Sequence, residues 1–111
     1  MSLICWLNNM ISDEKWHKLT LSQQLGNIGS EIARARDWEQ CHEKKLRNEA
    51  LIRAMDLLDL TISDPRWKRR LREFTRFREV LADWFSDSNF YFVPPEQLEE
   101  YCIELILAER R

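Results

Sequence analysis

Apolar residues recur at intervals of three and four along most of this chain, which is the spacing of helices that each turn one side toward a core. Leu21, Leu25, Ile28, Ile32 and Ala35 follow that rhythm and predict a helix from Gln23 to about His42, capped by Ser22. A second stripe of Leu46, Ala50, Leu51, Ala54, Leu57, Leu58 and Thr61 predicts a helix over 43–63. Ser63, Asp64 and Pro65 form the sharpest boundary, because Asp suits a cap and Pro suits the first helical position, where its missing N–H costs nothing. The third helix then runs from Arg66 to near Ser86 with Trp67, Leu71, Phe74, Phe77, Leu81, Trp84 and Phe85 on its apolar side. After a loop over 87–95 that carries Phe90, Tyr91 and Phe92, Pro95 opens a fourth helix over 96–110. That helix directs Leu98, Tyr101, Cys102 and Leu105 inward, with Arg110 and Arg111 at its end as the macrodipole prefers. A short helical turn over 12–18 precedes the first long helix.

No alternating pattern of the kind a strand needs is present, and two Gly with three Pro are too few to build the turns of a sandwich or barrel. The expected fold is therefore all-α, an up-and-down bundle of four main helices with short loops, in a single domain over 1–111. Gly26, Gly29 and Ala33 lie beside the first stripe. Glycine costs about 1 kcal/mol in a helix interior, so the pair of glycines predicts a close helix crossing.

At 111 residues and 44% hydrophobic, the chain can enclose one core without a metal or disulfide staple. Seventeen basic residues against nineteen acidic ones give a net charge of -2, which excludes nucleic-acid binding by bulk charge and leaves only local patches. Cys5, Cys41 and Cys102 are odd in number and far apart, so neither a disulfide framework nor a zinc site is expected, and the compartment reads as cytoplasmic. The opening Met1 to Ile11 is apolar but has no basic start and is too short to span a bilayer. It reads as an N-terminal segment, in part a leader, and not as a signal peptide. No cofactor and no membrane partner are expected.

Three local constellations remain. Residues 66–78 hold seven basic side chains against Glu73, and Lys68, Arg69, Arg72 and Arg76 point away from the apolar side of their helix. Such a stripe meets phosphates, with weak, non-specific and salt-dependent polyanion binding as the expected outcome. Charge complementarity within the fold is the competing reading, because residues 79–109 carry eight acids and no base, and an antiparallel fourth helix brings Glu104 and Glu109 back toward the stripe. Secondly, Arg36 and His42, with five residues between them, resemble the arginine-to-histidine motif of HEPN-type helical proteins. That resemblance implies RNA cleavage or nucleotide binding. On a continuous helix the two side chains diverge by about 120° and converge only if the helix ends between them, and a capping or surface histidine is the plain alternative. Thirdly, Asp56, Asp59 and Glu31 lack the paired spacing of a magnesium cage, so no metal site is expected.

Placed at 100° steps on the third helix, Arg78 falls among the apolar residues. A buried guanidinium needs a carboxylate, and the wheel of the first helix offers Glu39 as first partner and Glu31 as second, with Arg36 on the same side. Arg36, Glu39, Arg78 and His42 are thus the candidate anion-binding residues. Trp6, Leu7, Trp16, Trp38, Phe90, Tyr91 and Phe92 exceed what a bundle of this length encloses. Apolar surplus of that kind marks partner surfaces, so the function expected is a non-catalytic interaction or regulatory module that self-associates or binds another protein, with the HEPN-like activity as the alternative.

Overall fold

A computed structural model describes residues 13–91 and 93–109 and contains helices with no strand among them. The opening segment 1–11 with Trp6, Leu7 and Cys5, and also Phe92, Arg110 and Arg111, lie outside the described residues. One helical turn, α1 (Asp13–Trp16), leads into α2 (Leu21–Gln40) and α3 (Lys44–Ile62). A 3₁₀ turn (Pro65–Arg70) precedes α4 (Leu71–Ser86), and α5 (Pro95–Glu109) completes the chain.

Thr20, and not Ser22, starts α2. Its hydroxyl accepts from the Gln23 N–H at 3.1 Å while the Gln23 side chain accepts from the Thr20 N–H at 2.9 Å, so two otherwise orphan donors are satisfied reciprocally. Asp64 caps the 3₁₀ turn as its sequence context predicts, accepting from the Arg66 N–H at 3.0 Å. The third segment is not one continuous helix, however. Trp67 inside the 3₁₀ turn has φ -105° and ψ 20°, and Arg70 at the junction with α4 has φ -107° and ψ 12°, so the helical phase shifts between Trp67 and Phe74.

The four long helices pack around one core, α2 against both α3 and α5 and α3 against α4, so the all-α bundle of four main helices holds. The expected inward residues of α2 are all buried, as are Ala50, Leu51, Ala54, Leu57 and Leu58 on α3, Phe74, Phe77 and Leu81 on α4, and Leu98, Cys102 and Leu105 on α5. Tyr101 is half-buried and meets Phe77 edge to face, with centroids 5.1 Å apart. Gly29 lies at the contact of α2 with α5, but a Cβ there would stand 3.5 Å from the Cys102 Cβ, an ordinary contact distance, and at Gly26 no atom of the described residues lies within 4 Å, so neither glycine is required by a crossing too close for a Cβ. Trp16, counted as surplus in the sequence, is 1% exposed.

Trp16 is buried because its polar edge is satisfied. Its indole N–H donates to the Thr61 hydroxyl at 3.0 Å, and Thr61 Oγ1 in turn lies 3.1 Å from Gln24 Oε1. The same Gln24 oxygen accepts from Trp67 Nε1 at 3.0 Å, while Gln24 Nε2 donates to the Trp16 carbonyl at 2.8 Å. One fully buried amide therefore joins α1, α2, α3 and the 3₁₀ turn. Removing it takes the acceptor from the half-buried Trp67 indole N–H and leaves the Thr61 hydroxyl only the Leu57 carbonyl at 3.3 Å, and an unsatisfied buried polar group costs about 1 to 3 kcal/mol. Gln24→Ala is expected to lower unfolding stability by about 2 kcal/mol or more in a urea titration; an unchanged midpoint would show that water replaces the amide.

Candidate functional site

The described residues do bury an arginine, but it is Arg47. It sits on the apolar stripe of α3 three and four positions before Ala50 and Leu51, and its side chain is only 5% exposed. Its guanidinium grips Asp87 with two bonds, Nη1 to Oδ1 at 2.9 Å and Nη2 to Oδ2 at 3.2 Å. Nη1 also donates to Glu39 Oε1 at 3.1 Å, and Nη2 donates to Asn48 Oδ1 at 2.8 Å. Trp84 completes the cluster, donating from Nε1 to the same Glu39 oxygen at 2.8 Å. Lys44 Nζ lies 2.8 Å from Asp87 Oδ2. These bonds hold the Asp87 carboxyl down at about 2, chiefly through Arg47 and then Lys44.

Asp87 reaches Arg47 because α4 ends in a left-handed residue at that position, φ 57°. The Asp87 N–H donates to the Trp84 carbonyl at 3.2 Å and the Ser88 N–H to that of Asp83 at 3.3 Å, the paired bonds of a Schellman end. His42, φ 59°, closes α2 in the same way: its N–H donates to the Glu39 carbonyl at 3.0 Å, and that of Glu43 to the Trp38 carbonyl at 2.9 Å. Both glycines lie inside α2, so these ends fall to Asp and His, which adopt the left-handed region at some cost.

The candidate anion group is dispersed. Glu39 does hold a buried arginine, but Arg47 instead of Arg78. Arg78 is 39% exposed and grips Asp59 of α3, Nε to Oδ1 at 2.8 Å and Nη2 to Oδ2 at 3.2 Å. The expected burial of Arg78 fails because the helical wheel ran through the 3₁₀ break; in α4 itself the inward arc is Phe74, Phe77 and Leu81, and Arg78 lies on its flank. Glu31 is occupied by Arg34 and Arg53, the latter through Nε at 2.8 Å. Arg36 bonds Glu99 of α5 and contacts Asp37.

α2 does end between Arg36 and His42, yet the two are not brought together within the chain. Arg36 turns to α5, while His42 lines an exposed depression of 240 Å³ with Glu39, Glu43, Lys44, Arg47 and Asp87. Of the carboxylates weighed for a metal, Asp59 and Glu31 are committed to arginines, and among the described residues no group of three His, Cys, Asp or Glu side chains is placed to hold one. Burial, with help from the Glu99 charge, pushes the Cys102 thiol up to about 12, which makes it inert at neutral pH.

Lys68, Arg69, Arg72 and Arg76 are exposed, as expected. The expected neutralisation by Glu104 does not occur: its carboxylate makes no ion pair among the described residues, and the side chain of Glu109 lies outside them. Trp38 and Phe90 are exposed at 37% and 76%. The wheel missed Ile103 and Leu107 on the outer side of α5, 56% and 49% exposed, and misplaced Leu71, which is exposed at the start of α4.

No known protein family, curated protein or solved structure matches this chain.

Two expectations test the cluster. The Asp87 carboxyl is depressed in the folded state, so the stability it contributes is present above the ordinary carboxylate range near 4 and is lost as pH falls toward about 2. Asp87→Asn should lower Tm at pH 7 and flatten the fall in Tm between about pH 4 and about pH 2, followed by circular dichroism. If His42 serves as a helix terminus, His42→Gly should raise stability by about 1 kcal/mol in denaturant titration; a large loss would assign the imidazole a further contact.

Proposed function

We propose that this protein is a non-catalytic interaction module whose partner is a second copy of the same chain. The observation that carries the reading is a ridge beside a groove of matching chemistry on one face. Small residues of α2 (Gly26, Gly29, Ser30, Ala33) and Ile106 of α5 line a groove of 370 Å³. Ile103 borders the groove, and Leu107 follows it one turn later on α5, both exposed. Ser30 donates its hydroxyl to the Gly26 carbonyl at 3.0 Å, so the wall it forms demands no outside hydrogen bond.

Gly26 supports a second copy in particular. Glycine in a helix interior costs about 1 kcal/mol, and no atom of the described residues uses the space where its Cβ would stand. A two-fold contact requires each copy to present both halves of a self-complementary surface. The Ile103 and Leu107 ridge and the adjacent glycine groove meet that requirement, each ridge entering the other copy's groove.

The polar chemistry of the fold supports the non-catalytic part of the reading. Gln24, Glu31, Glu39, Arg47 and Asp87 spend their hydrogen bonds on joining helices. Cys41 and Cys102 are free thiols, which supports a reducing, cytoplasmic compartment. No helix among the described residues is long and apolar enough to cross a membrane.

Sedimentation equilibrium tests the reading. A dimer is expected at tens of micromolar, with Ile103→Glu and Gly26→Leu each converting it to monomer while the helical circular dichroism is kept. A wild-type protein that stays strictly monomeric at that concentration sinks the proposal.

A further inference from the structure

Ten arginines lie among the described residues, and seven of them hold a carboxylate within ion-pair range. The three that do not, Arg69, Arg72 and Arg76, line one groove. The groove has a volume of 440 Å³ and lies between the start of α4 and Tyr101 of α5, with Arg70 and Glu73 completing its wall. Glu73 does not neutralise it, because its two oxygens are already used, accepting from Arg70 Nε at 3.3 Å and from the Tyr101 hydroxyl at 3.3 Å. Four arginines against one glutamate leave the wall with three surplus positive charges.

The shape of this charge selects the ligand. Arg72 and Arg76 are one turn apart on α4, about 6 Å at the helical rise, and Arg69 lies in the 3₁₀ turn just before them. A row of guanidiniums spread over more than one turn can meet successive phosphates of a chain. Beyond Arg76 the row ends at an aromatic platform: the Arg76 guanidinium lies 5.1 Å from the Tyr91 ring, and Phe90 packs edge to face on Tyr91 with centroids 5.2 Å apart. Phe90 is 76% exposed and yet held in place. The backbone N–H groups of Phe90 and Tyr91 donate to the Asp83 carboxylate at 2.8 and 3.2 Å, and the Tyr91 hydroxyl donates to Glu79 at 2.9 Å. Apart from its edge-to-face contact with Tyr91, the Phe90 ring is open to solvent among the described residues.

We propose that the Arg69, Arg72 and Arg76 row, with Phe90 at its end, binds single-stranded nucleic acid. The guanidiniums follow the phosphodiester backbone and an unpaired base stacks on Phe90, the combination by which sequence-tolerant single-strand binders work. A duplex supplies the phosphates but no free base face for the ring. The row is formed by α4 and the 3₁₀ turn, apart from the Gly26 and Ile103 surface, so its test does not depend on dimer formation.

Fluorescence anisotropy with labelled twelve-residue oligothymidine and oligouridine, against a duplex of the same length, decides the matter. Single strands are expected to bind in low salt more tightly than the duplex, with a log–log salt slope of about -2 for three phosphate contacts. Arg72→Glu should weaken binding about tenfold or more, and Phe90→Ala about fivefold or more without changing the slope. Lys45→Glu, the same charge change on an exposed side chain at the start of α3, should alter it less than twofold. Equal binding of duplex or of poly-glutamate as competitor, indifference to Phe90→Ala, or an effect of Lys45→Glu as large as that of Arg72→Glu would each overturn the proposal.

Discussion

A guanidinium cannot shed its charge to enter a core, so burying Arg47 obliges the surrounding helices to bring carboxylates to it. Most of this architecture follows from that constraint. Glu39 must stand in the last turn of α2, and α4 must stop where Asp87 can fold back onto α3. Folding back requires a left-handed residue, and Asp87 supplies both the turn and the charge. Trp84 adds its N–H to Glu39 and lays its ring 6.0 Å from the guanidinium. Three helices are thus fixed in register by one side chain, a role for which directional bonds serve better than apolar contact.

Gln24 does the corresponding work at the opposite end of α2. Its amide carries no charge, so it can be fully buried once both its ends are bonded, and Trp16, Thr61 and Trp67 supply those partners. Asp64 closes this end: burial would raise its carboxyl, but the bonds from Arg66 outweigh that effect and hold it below the usual range. The bundle is therefore apolar along its middle and hydrogen-bonded at its ends, which ties the short α1 and the 3₁₀ turn to the long helices.

With the interior polar groups committed, the chemistry left for partners lies on the outside of α4 and α5. α5 borders two distinct surfaces, because Cys102 and Ile103 face the small residues of α2 while Tyr101 faces α4. Gly29 lies against Cys102 of α5 on one side, and Phe77 meets Tyr101 on the other. The glycine-lined groove and the basic groove thus border two sides of one helix, set apart by its 3.6-residue period.

Secondary structure and core were legible in the chain because burial is periodic: Leu25, Ile28, Ile32, Leu51, Leu58 and Leu81 announce their helices by spacing alone, and Asp64 with Pro65 announces a start. The exposed basic row was legible for the same reason. Partnership was not. Arg47 stands three and four positions before Ala50 and Leu51, a signal of a buried cation that the helical wheel passed over in favour of Arg78, and its partner Asp87 lies forty residues away in a loop whose path depends on where α4 ends. Arg78 was misplaced because one 3₁₀ turn shifts every later position around the helix axis, and no local rule fixes the length of that turn. Hydrophobic periodicity is a property of neighbours in sequence and determines which side of each helix faces inward. Which arginine meets which carboxylate, and which are left over for a ligand, depends on distances between helices, and only the packed tertiary structure decides those.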